Sequence, residues 1–120
     1  MAGATVAHDT RILLADDEEP NLKATVFVLR GTGFDVTAVP EGNHANLAFE
    51  VALLARRPYD LLLLDIRMPG ASGWEVPRYV REHTPPGIPI PGILLKPFTN
   101  SALVNEVRRH LAVAAAAASR

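Results

Sequence analysis

Residues 59–65 read Tyr-Asp-Leu-Leu-Leu-Leu-Asp, an apolar run closed by a carboxylate. Four leucines without polar alternation suit a strand buried on both faces, as in the interior of a parallel sheet. Runs of similar character lie on either side. Arg11–Ala15 (RILLA) ends at Asp16-Asp17, and Gly92–Leu95 (GILL) ends at Lys96. Residues 34–39 (FDVTAV) alternate apolar and polar.

Helical patterns separate these runs. Over residues 20–30, Leu22, Val26 and Leu29 recur at helical spacing, with Gly31 and Gly33 as stop signals. Over 43–57, Leu47, Val51 and Leu54 repeat that spacing, and Pro58 closes the segment. Residues 74–83 form a third candidate, with Pro77 near its first turn, where a missing N–H costs least. The last runs from Ser101 to about Ala115, with Leu103, Val107 and Leu111 on one stripe and Thr99 able to cap it. The order β-α-β-α-β-α-β-α means an α/β domain with a parallel sheet.

Composition bounds the function. The chain has 120 residues, 10 prolines, no cysteine and a formal net charge of −1. One domain is expected over 1–120, with a core at about 11–111 and flexible ends at 1–10 and 112–120. Without cysteine there are no disulfides, thiolate metal sites or thiol nucleophile. Near-zero charge argues against direct contact with nucleic acid. No apolar run reaches the ~18–20 residues that span a bilayer. A cytoplasmic location is expected.

In open α/β sheets, ligands sit at the carboxyl ends of the strands. Here those ends carry Asp16, Asp17, Asp65 and Lys96. Three crowded carboxylates repel, so they take up protons or a divalent cation neutralises them. An all-oxygen donor set without His or Cys suits Mg²⁺. A carboxylate beside Mg²⁺ and a lysine is placed to attack a phosphoryl group, with both cations sharing the charge on the transferring oxygens. Each motif alone is open to a plainer reading, as a turn or a helix cap. His8, His44, His83 and His110 lack metal-ligand spacing and read as surface or cap residues, and Trp74 and Phe98 read as packing residues.

The segments ILLADDEEPN, LLLLDIRMPGASG and LLKPF, in this order and each on an apolar strand, resemble the receiver domain of two-component response regulators. The resemblance implies a doubly wound, flavodoxin-like three-layer sandwich. It also implies roles. Asp65 would accept a phosphoryl group from a histidine kinase or phosphotransfer protein. Asp17, Asp65 and the backbone carbonyl of Arg67 would bind Mg²⁺ directly, and Asp16 through water. Lys96 would contact the phosphoryl oxygens, and the Lys96–Pro97 bond would be cis. Such a domain assists its own phosphorylation and dephosphorylation without being a turnover enzyme.

The chain departs from that family between Ile88 and Lys96. A receiver has a fourth strand ending in Ser or Thr, a fourth helix, and a fifth strand with an aromatic residue three before the lysine. Here Ile88-Pro89-Ile90-Pro91-Gly92 leads directly into Ile93-Leu94-Leu95-Lys96, and Ile93 holds the aromatic position. Two parallel neighbours need a crossover of a dozen residues or more. So residues 88–95 are expected as one strand, beside the third, in a four-stranded sheet ordered 2-1-3-4. A hairpin at Pro91-Gly92 is the alternative. Pro89 and Pro91 then lack donors on the same, outer side of an edge strand. The missing helix should bare apolar surface among Ile88, Ile90, Leu94 and Leu95, suited to a homodimer or a downstream protein partner.

The expected function is that of a stand-alone receiver in a phosphorelay, with output by protein contact. The alternative is a degenerate receiver that binds a partner without phosphorylation. A small Mg²⁺-dependent phosphohydrolase is disfavoured, because Arg67 stands where a second carboxylate would follow Asp65.

Overall fold

The leucines at 61–64 are fully buried and occupy the middle of the sheet. The computed structural model describes residues 10–66, 74–96 and 100–118. Among these, β1 (Arg11–Ala15), α1 (Glu19–Gly31), β2 (Asp35–Val39), α2 (Gly42–Leu54), β3 (Leu61–Leu64), α3 (Glu75–His83), β4 (Gly92–Leu95) and α4 (Asn100–Ala118) alternate along the chain. The strands are all parallel and ordered β2-β1-β3-β4.

Alternation along each strand divides the core into two layers. Leu13, Ala15, Leu62 and Leu64 pack with Ala45 and Phe49 of α2 and with Val76 and Val80 of α3. Ile12, Leu14, Leu61 and Leu63 pack with Leu29 of α1 and with Leu103 and Val107 of α4. Each buried leucine contributes roughly 1.5–3 kcal/mol relative to exposure. A hydrogen bond from the Tyr79 hydroxyl to the Glu50 carboxylate ties α3 to α2 and raises the tyrosine's pKa.

The single lysine-bearing strand beside β3 is as expected, and no hairpin forms, but the strand is shorter than 88–95. It begins at Gly92, and residues 88–91 precede it without ladder pairing. The partner strand explains this: β3 begins at Leu61, which is level with Gly92, so residues 88–91 have no strand beside them to pair with. Pro89 and Pro91 fall in the outward phase of the strand. Ile88 and Ile90 are exposed, while Leu94 and Leu95 are half-buried. Trp74, expected in packing, is 64% exposed. Phe98, Thr99 and His8 lie outside the described residues.

The face of α2 is a larger correction. The stripe Leu47, Val51, Leu54 has the expected spacing but lies outward, at 59%, 55% and 86% exposure. The helix instead buries Ala45, Phe49 and Ala52. The two stripes share one period and lie about 200° apart, at 100° per residue. The small alanines let the helix approach the sheet, and Phe49 fills the space between.

The ends of α1 and α2 use one motif with different residues. In α1, Gly33 at φ +103° lets its own N–H reach the Arg30 carbonyl and the Phe34 N–H reach that of Leu29. In α2, Arg56 adopts φ +58°, its N–H reaches the Leu53 carbonyl, and the Arg57 N–H reaches that of Ala52. Both are Schellman endings, which favour glycine at the left-handed position. Helix α2 therefore stops at Leu54, short of the expected 57, and Arg56 ends it before Pro58.

Two stability measurements check this account. Arg56→Gly should stabilise the protein by about 0.5–1 kcal/mol in urea unfolding, because glycine relieves the left-handed strain. Phe49→Ala should cost about 3–5 kcal/mol, whereas Leu54→Ala should stay within about 0.5 kcal/mol.

Candidate functional site

The parallel register assembles the rim. Ala15 is level with Leu64, and Leu64 with Leu95. The next residues along the three strands are Asp16, Asp65 and Lys96, so they stand abreast. The ladder continues one step into them. The Asp65 N–H donates to the Ala15 carbonyl at 3.0 Å, and the Lys96 N–H to the Leu64 carbonyl at 2.9 Å. The Asp16 N–H donates to the Val39 carbonyl at 3.2 Å.

Asp16, Asp17 and Asp65 each place a carboxylate oxygen within 4.8 Å of the others. Asp16 is buried, Asp65 half-buried and Asp17 exposed, so the cluster opens to solvent on one side. Asp16 is held from two directions. Its Oδ1 accepts the Glu18 N–H at 2.9 Å, which shapes the turn into α1. Its Oδ2 lies 2.5 Å from Lys96 Nζ.

That ion pair was not legible in the sequence. The Lys96 ammonium reaches Asp16, two strands away. In a flavodoxin-like order of 2-1-3-4-5 the lysine strand stands one place further from β3. Here it is β3's direct neighbour, which moves the lysine about 4.8 Å inward. A lysine stem can span the remaining distance across Asp65. Asp16 is 1% exposed and the lysine side chain 16%, so the attraction acts in a poorly screened setting.

The donor set fits a hard divalent cation: three carboxylates, no histidine or thiolate, and an open side where water could complete the shell. Arg67, whose carbonyl was expected to join them, lies outside the described residues, as does Pro97. Ile93, at the expected aromatic position, is half-buried against the layer of α2 and α3.

The profile of the family described as the response regulator receiver domain matches residues 12–91. The chain belongs to this family. The match ends immediately before β4, where the receiver pattern is shortened. The DNA-binding response regulator MtrA of Mycobacterium tuberculosis (strain H37Rv) is 32% identical over 121 aligned positions, covering 84% of this chain and 50% of the relative. The alignment is longer than this chain, so part of the relative faces a gap here, in keeping with a missing segment. The receiver spans about half the length of the MtrA relatives it matches.

Solved receivers agree in fold. The receiver domain of the hybrid histidine kinase CckA superposes with a TM-score of 0.68 at 25% identity, covering 84% of this chain and 98% of that one. The receiver of sensor histidine kinase PA1611 from Pseudomonas aeruginosa PAO1 gives a TM-score of 0.67 at 25% identity, over 88% of this chain and 99% of that one. That structure has a magnesium ion coordinated in its active site cleft. No described helix of the present receiver is long and apolar enough to cross a membrane.

Lys96→Met tests the ion pair. It leaves the Asp16 charge buried beside two other carboxylates. The expected cost is about 2–3 kcal/mol in urea unfolding at neutral pH, below that of a fully buried pair because the lysine keeps some solvent.

Proposed function

We propose that this receiver is a phosphoacceptor in a phosphorelay, taking a phosphoryl group from a histidine kinase or phosphotransfer protein onto Asp65. The convergence of Asp16, Asp17 and Asp65 within 4.8 Å, at the rim where Lys96 also sits, carries the reading. Asp16, Asp17 and Asp65, with the Arg67 carbonyl, would hold Mg²⁺, which when bound supplies positive charge against the carboxylates and the phosphoryl oxygens.

The chain's own groups do the rest. An Asp65 carboxylate oxygen attacks phosphorus as the donor's P–N bond breaks and the imidazole leaves. Asp65 projects from the end of a rigid, buried strand, so its position needs little reorganisation. Lys96 would move from Asp16 toward the transferred oxygens once a cation takes over the Asp16 charge. The same groups would assist later hydrolysis, so the domain limits its own signal without being a turnover enzyme. We place it in the cytoplasm, with output by protein contact and no direct nucleic-acid contact. The apolar side chains of Ile88 and Ile90 are available to a downstream partner.

Mg²⁺-dependent labelling by phosphoramidate or acetyl phosphate tests this. Mass spectrometry should show one added phosphoryl group, lost in Asp65→Asn and on chelation of the metal. Wild-type protein that stays unlabelled in Mg²⁺ refutes it.

A second reading has its own observation. Ile93 occupies the place of the aromatic switch, and among the described residues no Ser or Thr closes a strand before β4. A module that binds its partner without phosphorylation would fit these absences. Equal partner binding by wild type and Asp65→Asn would favour it.

A further inference from the structure

We propose that the groove between α2 and the open edge of β2 docks an amphipathic helix of a different protein, its acidic first turn against Arg11 and Arg57. The groove has a volume of about 430 Å³. Helix α2 packs with Leu13, Ala15, Leu62 and Leu64 of the two central strands. Thr37 and Val39, on the same face of the edge strand β2, stay half-buried beside that helix. On the opposite wall Leu47 and Val51, each more than half exposed, stand next to the smaller Ala48 and Ala52. A row of large side chains beside a row of small ones is a surface into which the apolar ridge of another helix packs. From His44 to the C-cap Ala55 the lined stretch of α2 is about 16 Å long, enough for about three turns of a partner.

Strand addition is the poorer use of this edge. The Asp35 N–H and the Val39 carbonyl bond toward β1, so the Val36 carbonyl points outward. Arg30 Nη2 already donates to that oxygen at 3.1 Å, and Pro40 follows β2 directly. The same arginine lines the second groove at this edge, of about 550 Å³, which runs along Val26, Phe27 and Ala38 on the α1 side.

Charge sets the chemistry of the occupant. Among the described residues, the charged side chains that line the α2 groove are Arg11, His44 and Arg57, with no carboxylate. Arg11 and Arg57 share one nearby carboxylate, Asp35, at 3.4 and 3.7 Å. Asp60 is engaged by the Arg11 main-chain N–H at 2.8 Å. Arg11 is fixed in place, because its guanidinium also donates to the Arg57 carbonyl and lies 4.6 Å from the centre of the Tyr59 ring. The Arg57 side chain is held loosely. It is 67% exposed, and 3.7 Å is beyond hydrogen-bonding range.

At the other end His44 lies beside Glu41, at 3.9 Å. The positive excess therefore sits at the arginine end of an apolar trough, where a partner's carboxylates would complete the pairing. A helix antiparallel to α2 brings its N-terminal turn to that end, and acidic residues there also suit its own dipole. Groove-to-groove pairing of two copies would bring basic linings together, so the occupant is a different protein.

The probe is a fluorescein-labelled helical peptide of about 18 residues, with glutamates in its first turn and leucines at i, i+4, i+7 and i+11. Fluorescence anisotropy with the full chain should show saturable binding at roughly 10–100 μM. Leu47→Glu with Val51→Glu, both at exposed positions, should weaken it about tenfold or more with an unchanged circular dichroism spectrum. A peptide with lysines in place of the glutamates should bind the wild type about tenfold more weakly, and Arg57→Glu should reverse that preference.

No binding below about 1 mM overturns the proposal. Equal affinity for the two peptides, a charge preference that Arg57→Glu leaves unchanged, or binding indifferent to the paired glutamates does so as well. A proline-interrupted peptide that binds equally well removes the helical occupant. A wild type that self-associates through Leu47 and Val51 gives the groove to a second copy and also overturns it. Arg11 opens β1 whereas Asp16 follows its end, and the assay uses neither Mg²⁺ nor a phosphoryl donor. Its outcome is therefore separate from that of the labelling experiment.

Discussion

The register of the parallel ladder at the ends of β1, β3 and β4 governs the rest of this receiver. Ala15, Leu64 and Leu95 stand level, so the next residue on each strand projects onto one rim. A shift of one residue in any strand would turn that side chain to the other face and separate the charges. The buried leucines hold the register, because the same shift would exchange their two core layers. The hydrophobic core and the charged rim are consequences of one alignment.

The contraction of the sheet acts through that alignment. With β4 directly beside β3, the lysine still reaches the rim, but one strand closer than in a five-stranded receiver order. Its ammonium then finds Asp16, the most buried carboxylate of the cluster. Crowded negative charge is partly offset within the protein itself.

Legibility varied from element to element. The stripes of α1 and α4 were readable because Leu29, Leu103 and Val107 lie opposite charged residues, and one face alone could be buried. Helix α2 is apolar on two faces, so periodicity admitted Leu47-Val51-Leu54 and Ala45-Phe49-Ala52 alike. Hydrophobicity favoured the leucines, but close approach to the sheet favoured the alanines around Phe49. The end of α2 was equally hidden, because arginine carries no signal for the left-handed conformation that Arg56 adopts. At the rim, Asp16, Asp17 and Asp65 were legible from their places after apolar strands, while the partner of Lys96 was not.

By itself the sequence determined the alternating α/β order, the four-stranded sheet and the gathering of acidic residues at the strand ends. These follow from local patterns: continuous apolar runs, helical spacing, and a connection too short for a crossover. Only the tertiary structure decided which face of α2 is buried, where the lysine's charge rests, and that two grooves flank the open edge of β2. Those depend on distances between segments far apart in the chain, where packing volume and electrostatic proximity outweigh local preference.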